Sequence, residues 1–469
     1  MIRGLRPGIA GLLLAAASAV WAQGDILPAA TRVELDNGTI LLLAEKHDVP
    51  LIGIDAVVAG GGVSDPPELA GLSGLLADLL DKGAGERDAA AFAEAVAAVG
   101  GTLGATGGRE AITVSGEFMS RDAELMVALL ADMLRRPTLD REEFEKLQTR
   151  SISFISAAKD SNASALLPYY GDALLFADHP YGRSRDGSEA SLARIEYTDI
   201  RAHYDAHVGG DRLVIAVSGA FETAAMQSLL TAAFADWRAA SAERIVVPEP
   251  SVPEGAHVLL VDQPGSAQTY FWLGGLGTAI DYPSRADLDV VNTIFGGRFT
   301  SMLNNALRVE AGLTYGAYST LTRPSRSGTV AIRSSTQAAT TIEAIDMALG
   351  LLDQLHELGI DEAQIESAQN YILGQFPPRL ETASQVAAAL AQLEFYGLDA
   401  SYYNDYGTAI RGVLDTGARA VIDEVYPRPE GLVYVLIGDA DAIRADVEKY
   451  GPVIEMPITA PDFRPAPAE

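Results

Sequence analysis

The feature that most constrains how this chain folds is that its sequence is built twice. An apolar strand pattern ending at Gly219 and followed by a helix pattern returns at Gly438, again with a helix pattern behind it. The matching strand patterns, first copy and then second, are 39–43 and 258–261, 51–58 and 270–275, and 211–219 and 430–439. Repeats of this length predict two copies of one structural unit that bury their apolar faces together.

Residue spacing in the first copy predicts its secondary structure. Residues 32–58 alternate in strand fashion around a turn at Asp36-Asn37-Gly38, so we expect the runs 39–43 and 51–58 to pair as a hairpin. Leucines at three- and four-residue spacing predict a helix over 69–80 that Lys82-Gly83 ends. The remaining expected elements are helices over 89–99, 123–135 and 142–156, and a strand over 111–117 that the glycine-rich residues 100–104 precede.

These patterns predict an α+β fold with two homologous α/β-sandwich halves. We expect each half to carry a mainly antiparallel sheet covered by helices, with the halves closing on each other like a clam-shell. The cleft between two such halves is a common place for a ligand. The expected boundaries are a signal peptide 1–22, a first half 28–240, a proline-marked linker 241–256, a second half 257–457 and a loose proline-rich tail 458–469.

The first residues indicate a targeting segment. Arg3 and Arg6 precede the apolar run 9–20, and small residues reach Ala22, which is typical of a secretory signal peptide cleaved after Ala19 or Ala22. The alternative is an uncleaved anchor, although the run is shorter than the roughly 20 residues that span a bilayer. No later stretch is apolar enough for a membrane segment, so we expect an exported protein, in the bacterial periplasm.

Composition excludes several classes of function. The formal net charge is −29, which opposes binding to a phosphate backbone, and we find no basic patch that would favour a nucleic-acid partner. The chain contains no cysteine. Disulfides, thiolate metal sites and cysteine nucleophiles are therefore excluded.

Two histidines have the spacing of a metal site. His203 and His207 would share one helix face, which suits zinc. However, Tyr204 follows the first histidine where a metallopeptidase helix would carry glutamate. We expect solvated or locally hydrogen-bonded imidazoles here, and a structural role for His179 in the turn His179-Pro180-Tyr181-Gly182.

Four segments in a fixed order give the sequence a family resemblance. They are Ala70-Gly71-Leu72-Ser73, Gly100-Gly101, His179-Pro180-Tyr181-Gly182 followed by Gly187, and the run from Leu307 to Gly316. Together they resemble the pitrilysin or insulinase family of zinc peptidases, peptidase family M16, whose mitochondrial processing peptidases have two subunits. The resemblance covers nearly the whole mature chain and implies a metallohydrolase-like sandwich in each half.

The resemblance also implies that this chain has lost its zinc site. Active members carry His-x-x-Glu-His on the first helix, and the flanking residues align Gly74 and Asp78 with the two histidines and Ala77 with the glutamate. The family's third ligand is a glutamate on a later helix, whereas residues 150–154 read Arg-Ser-Ile-Ser-Phe. We therefore expect no metal or other cofactor in this chain, no metallopeptidase activity from it alone, and zinc in a partner subunit.

A second set of family residues is present. In two-subunit members, an arginine and a tyrosine of the second domain reach the zinc site of the partner, and Arg308 and Tyr315 match them. Gly312 can end the helix that carries Arg308, and a strand pattern over 313–319 follows, so both side chains can point to one place. A guanidinium and a phenol can stabilise the oxyanion of peptide hydrolysis.

Two functions follow from the resemblance. The first is the non-zinc, substrate-binding subunit of a heteromeric exported peptidase, a heterodimer or larger, whose partner is a homologous zinc-bearing chain and whose substrates are peptides. The alternative is a catalytically silent structural or binding module of the same fold, similar to the core subunits of respiratory complexes. The presence of both Arg308 and Tyr315 favours the first function, because a pure scaffold has no chemical need for them.

Overall fold

Two six-stranded sheets with helices packed against them form the frame of the molecule. The structure is a computed structural model that describes residues 25–251 and 255–465. The predicted signal peptide 1–22 lies outside the described residues. The described part of the predicted linker, 241–251, has neither helix nor strand.

Fourteen strands are present in the described ranges. They are β1 (Thr31–Glu34), β2 (Ile40–Glu45), β3 (Leu51–Ala59), β4 (Gly83–Ala84), β5 (Arg87–Asp88), β6 (Thr102–Gly107), β7 (Ala111–Met119), β8 (Leu213–Gly219), β9 (His257–Asp262), β10 (Gln268–Leu276), β11 (Ala317–Thr322), β12 (Thr329–Gln337), β13 (Val433–Gly438) and β14 (Val453–Pro457). β4 and β5 form a small separate pair, and the others build the two large sheets.

The helices lie between these strands. They are α1 (Leu72–Leu80), α2 (Ala89–Ala97), α3 (Ala123–Arg135), α4 (Arg141–Ser161), α5 (Leu167–Phe176), α6 (Glu189–Arg194), α7 (Tyr197–His207), α8 (Thr223–Phe234), α9 (Arg285–Asn292), α10 (Met302–Asn304), α11 (Thr341–Leu358), α12 (Glu362–Gln375), α13 (Ala383–Tyr396), α14 (Ser401–Asn404), α15 (Tyr406–Arg411), α16 (Asp415–Val425) and α17 (Ala440–Val447). Two π-helical segments, Thr293–Gly297 and Asn305–Glu310, flank α10.

The strand orders confirm the predicted fold class. The first sheet runs β1-β2-β8-β3-β7-β6 and the second runs β11-β12-β10-β13-β9-β14. Most neighbouring strands are antiparallel, and the parallel pairs are β2 with β8, β9 with β13 and β9 with β14. The two copies therefore share one topology, except that the edge beside β2 is filled by β1 from the start of the chain and the edge beside β9 by β14 from its end.

The expected hairpin of residues 39–43 and 51–58 is wrong. Both runs are strands, but β8 lies between them, parallel to β2 and antiparallel to β3. Every residue of β8 is buried, so its backbone N–H and C=O groups need a hydrogen-bonded strand on each side. The turn containing Gly38 instead joins β1 to β2. The second copy makes the same insertion, with β13 between β9 and β10.

Each half places one helix across the sheet of the other half. α13 packs on β3 and β8, where a β-carbon on Gly53 would lie only 2.4 Å from Cα of Ser384. α5 packs on β10 and β13, where a β-carbon on Gly171 would lie 2.9 Å from the ring of Trp272. The second face of each sheet is therefore covered by the opposite half, and the two halves are interlocked.

The described part of the predicted loose tail is packed, which corrects that prediction for residues 458–465. Phe463 is only 3% exposed, and its ring lies 5.1 Å from the rings of both Tyr169 and Tyr170 on α5. The backbone N–H of Ala190 donates to the carbonyl oxygen of Pro461 at 2.8 Å. The tail is ordered because it buries an aromatic side chain against the first half, although its proline content is typical of a flexible segment.

No helix within the described ranges combines the length and the apolar character needed to cross a membrane.

Candidate functional site

Helix α1 carries the three positions that the resemblance assigns to a lost zinc motif. Ala77 is fully buried in the core, whereas Gly74 and Asp78 are half-buried on the side of the helix that faces β6 and α4. Gly74 and Ala77 offer no donor atom to a metal, and a carboxylate at Asp78 is one ligand only. The residues present therefore do not fit a zinc ion here.

The backbone around Gly74 leaves no room for a ligand side chain. A β-carbon at this position would lie 2.8 Å from the carbonyl oxygen of Arg185. On the facing strand β6, a β-carbon on Gly107 would lie 2.7 Å from Cα of Gly74. The carbonyl oxygen of Arg185 therefore obstructs a side chain at position 74, and the backbone of β6 lies close to the same helix position.

An ion pair occupies the neighbouring space. Asp78 lies 3.9 Å from Arg150 on α4, which belongs to the segment where the third ligand was expected. Burial raises the pKa of Asp78, and Arg150 opposes that shift. Beside this pair is a cavity of about 460 Å³, whose walls include Phe154, Tyr169 and Phe463 of the packed tail. The space beside Asp78 is therefore a mainly apolar pocket with one ion pair.

A buried polar cluster that the sequence did not reveal lies at the start of α1. The carboxylate of Asp65 accepts the backbone N–H groups of Gly71 and Ser73, each at 2.9 Å, and also the Ser73 hydroxyl. His203 Nε2 lies 3.0 Å from Ser73 Oγ and 3.7 Å from Asp65. Burial raises the pKa of Asp65 to about 7 and, with the neighbouring His207, lowers the pKa of His203 to about 3.

This cluster is not a serine-hydrolase triad. Asp65 and Ser73 approach the same ring nitrogen of His203, whereas a triad places the acid at Nδ1 and the serine at Nε2. The three side chains are also buried away from any substrate. Their arrangement instead supplies acceptors for the free N–H groups at the start of α1. No local sequence signal joins residues so far apart in the chain.

The two histidines lie side by side on α7. The rings of His203 and His207 lie 4.5 Å apart, and burial lowers the pKa of both. Across the described residues, no group of three or more potential ligands is placed to hold a metal ion. His179 has the structural contacts expected of it, since Nδ1 accepts the N–H of Tyr181 and Nε2 lies 2.9 Å from the carbonyl oxygen of Pro248.

Arg308 and Tyr315 lie together on the surface of the second half. Arg308 is in the π-helical segment Asn305–Glu310, and its guanidinium carbon lies 4.7 Å from the ring centres of both Tyr315 and Phe299. Gly312, with φ of 65°, ends the helical segment as the sequence predicted. Within the described part of the chain, no carboxylate or carbonyl oxygen accepts a hydrogen bond from the half-buried Arg308 side chain.

Side chains of β12 anchor the backbone of the loop that carries Tyr315. Thr336 Oγ1 on β12 donates to the carbonyl oxygen of Leu313 at 2.8 Å. Ser334 Oγ on the same strand donates to the carbonyl oxygen of Gly316 at 2.9 Å. The Tyr315 side chain is nevertheless 84% exposed. The fold therefore fixes the backbone of this loop while presenting its aromatic ring to solvent.

We call Phe299, Arg308, Tyr315 and Tyr318 the Arg308 surface. Its three aromatic rings are among the large hydrophobic side chains that the structure leaves exposed. Such exposure is typical of a protein or ligand contact. Sequence analysis identified Arg308 and Tyr315 but missed Phe299, although it follows the pair Gly296-Gly297 closely as an isolated aromatic residue. Among the described residues, no hydrogen bond, ion pair or ring contact joins this surface to Asp78 of α1.

Comparison with protein families gives two matches that follow one another along the chain. Residues 42–186 match the insulinase model of peptidase family M16, and residues 194–372 match the model described as the peptidase M16 inactive domain. The first range contains α1, and the second contains the Arg308 surface.

Curated proteins of similar sequence come from several bacteria. An uncharacterized zinc protease of Mycobacterium leprae is 26% identical over 78% of this chain and 82% of its own length. The uncharacterized zinc protease YmxG of Bacillus subtilis is 23% identical over 75% of this chain and 85% of its own length. A protein of Helicobacter pylori named non-peptidase homolog YmxG is 24% identical over 76% of this chain and 82% of its own length.

Solved structures share the fold over most of both chains. A peptidase M16 inactive domain from Pseudomonas fluorescens superposes with a TM-score of 0.81 at 21% identity, covering 87% of this chain and 98% of that one. A protease from Helicobacter pylori gives a TM-score of 0.79 at 17% identity, covering 88% and 100%. The two sheet-plus-helix halves, the paired family models and these relatives together show that the chain belongs to peptidase family M16.

Proposed function

We propose that this protein is the non-zinc, substrate-binding subunit of a heteromeric M16 zinc peptidase. Its partner would be a homologous chain that carries the His-x-x-Glu-His motif and the zinc ion. The observation that carries the proposal is the Arg308 surface, an unpaired guanidinium held against Tyr315 on an anchored and exposed loop. Such donors are useful only to a molecule that comes from outside this chain.

The first half supports a role without peptidase chemistry of its own. Gly74 and Ala77 supply no ligand or base, and the carbonyl oxygen of Arg185 obstructs a larger side chain at position 74. The Helicobacter pylori relative is named a non-peptidase homolog, which agrees with this reading, whereas other relatives are named zinc proteases. In this chain the donor set at α1 supports the first of these two descriptions.

In the proposed complex, Arg308 and Tyr315 act on the peptide. The guanidinium donates N–H groups to a substrate carbonyl oxygen and stabilises negative charge as it develops there during hydrolysis. The Tyr315 hydroxyl adds a second donor, and the rings of Phe299 and Tyr318 supply apolar contact for the peptide or for the partner's surface. The anchored loop keeps these groups oriented before the substrate arrives, which lowers the cost of ordering them.

The test is peptide cleavage by the complex with its zinc-bearing partner. We expect Arg308→Ala to lower kcat/KM about 100-fold or more, as loss of an oxyanion donor does elsewhere, while the complex still assembles in size-exclusion chromatography. Arg141→Ala is the matched control. Its guanidinium lies 4.6 Å from the ring centre of Tyr197, a similar stacking on the other half, and its loss should leave cleavage unchanged.

The same experiment tests the alternative function. If an assembled complex with both Arg308→Ala and Tyr315→Ala cleaved peptides at the wild-type rate, these residues would have no part in the chemistry. A catalytically silent structural or binding module would then be the better description.

We also propose that the mature protein is exported, in a bacterium to the periplasm. The support is the sequence of residues 1–22, with Arg3 and Arg6 before an apolar run. Amino-terminal sequencing of the protein recovered from a periplasmic fraction should begin at residue 20 or 23. Recovery of the full-length chain in the membrane fraction would identify the segment as an anchor instead.

A further inference from the structure

A large cavity lies between the two halves, away from both α1 and the Arg308 surface. Its volume is about 770 Å³, within the range of small-molecule sites. One wall is the face of the first sheet that α13 covers, and another is formed by α9, α14 and α15 of the second half. Neither family-derived set of residues, on α1 or at Arg308, lines this space.

The sheet contributes an unpaired carboxyl group to this cavity. Asp55 lies in the middle of β3 and is 7% exposed. Two residues earlier on the same face, Gly53 allows α13 to approach the sheet closely, and Asp55 then opens into the space beside Gln385 and Gln392 of that helix. No side chain or N–H group in the described ranges donates to Asp55.

An unpaired carboxyl group at this depth is unusual. Burying a carboxylate without a partner is costly, so such groups are normally paired or neutral. Burial raises the pKa of Asp55 to about 7, so a positively charged ligand can shift it to the ionised form near neutral pH. A hydrophobic residue would serve a merely structural position on β3 better, as Val57 does two residues later.

The opposite wall has more positive than negative charge, since Arg285 and Arg323 share it with Asp289. Arg323 Nη2 lies 2.5 Å from Asp289 Oδ1, but Nη1 of the same guanidinium is buried and has no partner. Arg285 also lines the cavity, and its guanidinium carbon lies 3.5 Å from the ring centre of Tyr402 and 4.2 Å from that of Tyr406. Asp289 is already shared with the Tyr406 hydroxyl at 2.7 Å. The wall therefore has a surplus of donors.

We propose that this cavity binds a small zwitterion, an amino acid or a short peptide with free ends, whose ammonium group pairs with Asp55 and whose carboxylate accepts from Arg323. A cation alone would leave the arginine donors unpaired and would be repelled by them, and an anion alone would leave Asp55 unpaired. One molecule that carries both charges satisfies both walls, and the rings of Tyr402 and Tyr403 give its apolar part a surface. The site is complete in a single chain and does not depend on the proposed peptidase complex.

The experiment is isothermal titration of the mature chain alone with trialanine, alanine, N-acetyl-trialanine and trialanine amide. We expect trialanine or alanine to bind with Kd of about 1 mM or tighter, and blocking either end to weaken binding at least about tenfold. Comparison of alanine with trialanine identifies the source of the zwitterion. Binding should strengthen from pH 6 to pH 8 as Asp55 ionises.

Asp55→Asn is the decisive variant, because it removes the charge and keeps the shape. It should fold with a melting temperature no lower than wild type, since it removes an unpaired buried carboxyl group, and it should bind the zwitterion at least about tenfold more weakly. Asp48→Asn is the control, because the Asp48 side chain is 75% exposed outside the cavity and its loss should leave binding unchanged.

Three results would overturn the proposal. They are the absence of heat with either free zwitterion up to about 10 mM, equal binding of the acetylated peptide, and equal binding by Asp55→Asn. The first two use the wild-type chain and so decide the question even if the variant failed to fold. Loss of this binding would leave the role of Arg308 untouched, and an inactive peptidase complex would leave this site untouched.

Discussion

Helix α1 and the Arg308 surface, one in each half, have opposite characters. At α1 the backbone of β6 lies against Gly74, Ala77 is buried, and Asp78 is engaged by Arg150. At the Arg308 surface the backbone is anchored, Tyr315 is exposed, and the half-buried Arg308 has no polar partner among the described residues. The charged group of the first region has a partner in the same chain, whereas the guanidinium of the second has no polar partner among the described residues.

The comparison teaches that packing as well as chemistry can keep a metal-ligating side chain out of a position. A histidine at position 74 would require α1 to move away from the carbonyl oxygen of Arg185, which lies 2.8 Å from the position of the new β-carbon. At the Arg308 surface, by contrast, side chains can be exchanged without disturbing the core. Four predictions can break or sharpen this contrast.

The largest effect is expected from Phe463→Ala, in the tail that walls the pocket beside α1. Phe463 is 3% exposed between Tyr169 and Tyr170, so its removal should lower the free energy of unfolding by about 3 kcal/mol. Urea denaturation measures this change. Phe154→Ala is the control, because Phe154 lines the same pocket with 73% exposure and should cost less than about 0.5 kcal/mol. Equal effects would mean that the tail does not close the pocket in solution.

The next effect is that of Gly74→His, which restores one histidine of the family motif. The new β-carbon would meet the carbonyl oxygen of Arg185 at 2.8 Å, so we expect a loss of about 2 kcal/mol and no gain in bound zinc. Gly104→His on β6 is the matched control, since a β-carbon there meets nothing within 4 Å. A stable Gly74→His protein would contradict the closed packing described for α1.

A smaller effect is expected from Thr336→Val, below the Arg308 surface. It removes the hydrogen bond to the carbonyl oxygen of Leu313 and should cost about 1 kcal/mol in thermal or urea unfolding. Tyr315→Ala, in the loop that this bond anchors, should cost less than about 0.5 kcal/mol because the ring is exposed. The reverse order of the two costs would mean that the ring, and not the anchor, stabilises the loop.

The smallest effect is the pH dependence of the free energy of unfolding of the wild-type protein. The pKa shifts of two groups near the start of α1 change this free energy in opposite directions. The raised pKa of Asp65, about 7 against 3.8, makes its contribution to stability fall as pH rises from about 4 to 7. The lowered pKa of His203, about 3 against 6.5, makes its contribution rise from about pH 3 to 6.5. Between pH 4 and 6.5 the two slopes largely cancel.

Replacing one of the two groups leaves the pH dependence of the other uncompensated. His203→Gln should make the slope of unfolding free energy against pH more negative than in wild type, by up to about 1.4 kcal/mol per pH unit between pH 4 and 6.5. Asp65→Asn should make it more positive over the same range. Urea denaturation at several pH values measures both, and unchanged slopes would show that these groups do not titrate differently in the folded and unfolded states.

The sequence predicted features that depend on near neighbours in the chain. The helix over 123–135 has the predicted bounds because its apolar period is local, and the repeated units gave the two-sheet fold. The proximity of Arg308 and Tyr315 followed from the helix end at Gly312. Their role in a partner's site remains a prediction, as do the alignments of Gly74, Ala77 and Asp78.

The sequence could not predict contacts between distant segments. Insertion of β8 between β2 and β3 depends on a pairing across the whole first half, so the two early runs looked like neighbours. β6 was missed because its glycines weaken strand propensity, although they are what allows α1 to come close. Folding is also needed to bring Asp65 next to His203 in the polar cluster. It likewise places Asp55 and Arg323 on opposite walls of one cavity.

The exchange of helices between the halves has a consequence for synthesis of the protein. The first sheet is complete when β8 leaves the ribosome, but α13, which covers its second face, is translated much later. Until then an apolar face that includes Leu42, Val57 and Val214 is not covered by α13. This face is available to a chaperone during elongation. A chain truncated before Ala383 should therefore aggregate and should not fold as a stable first half.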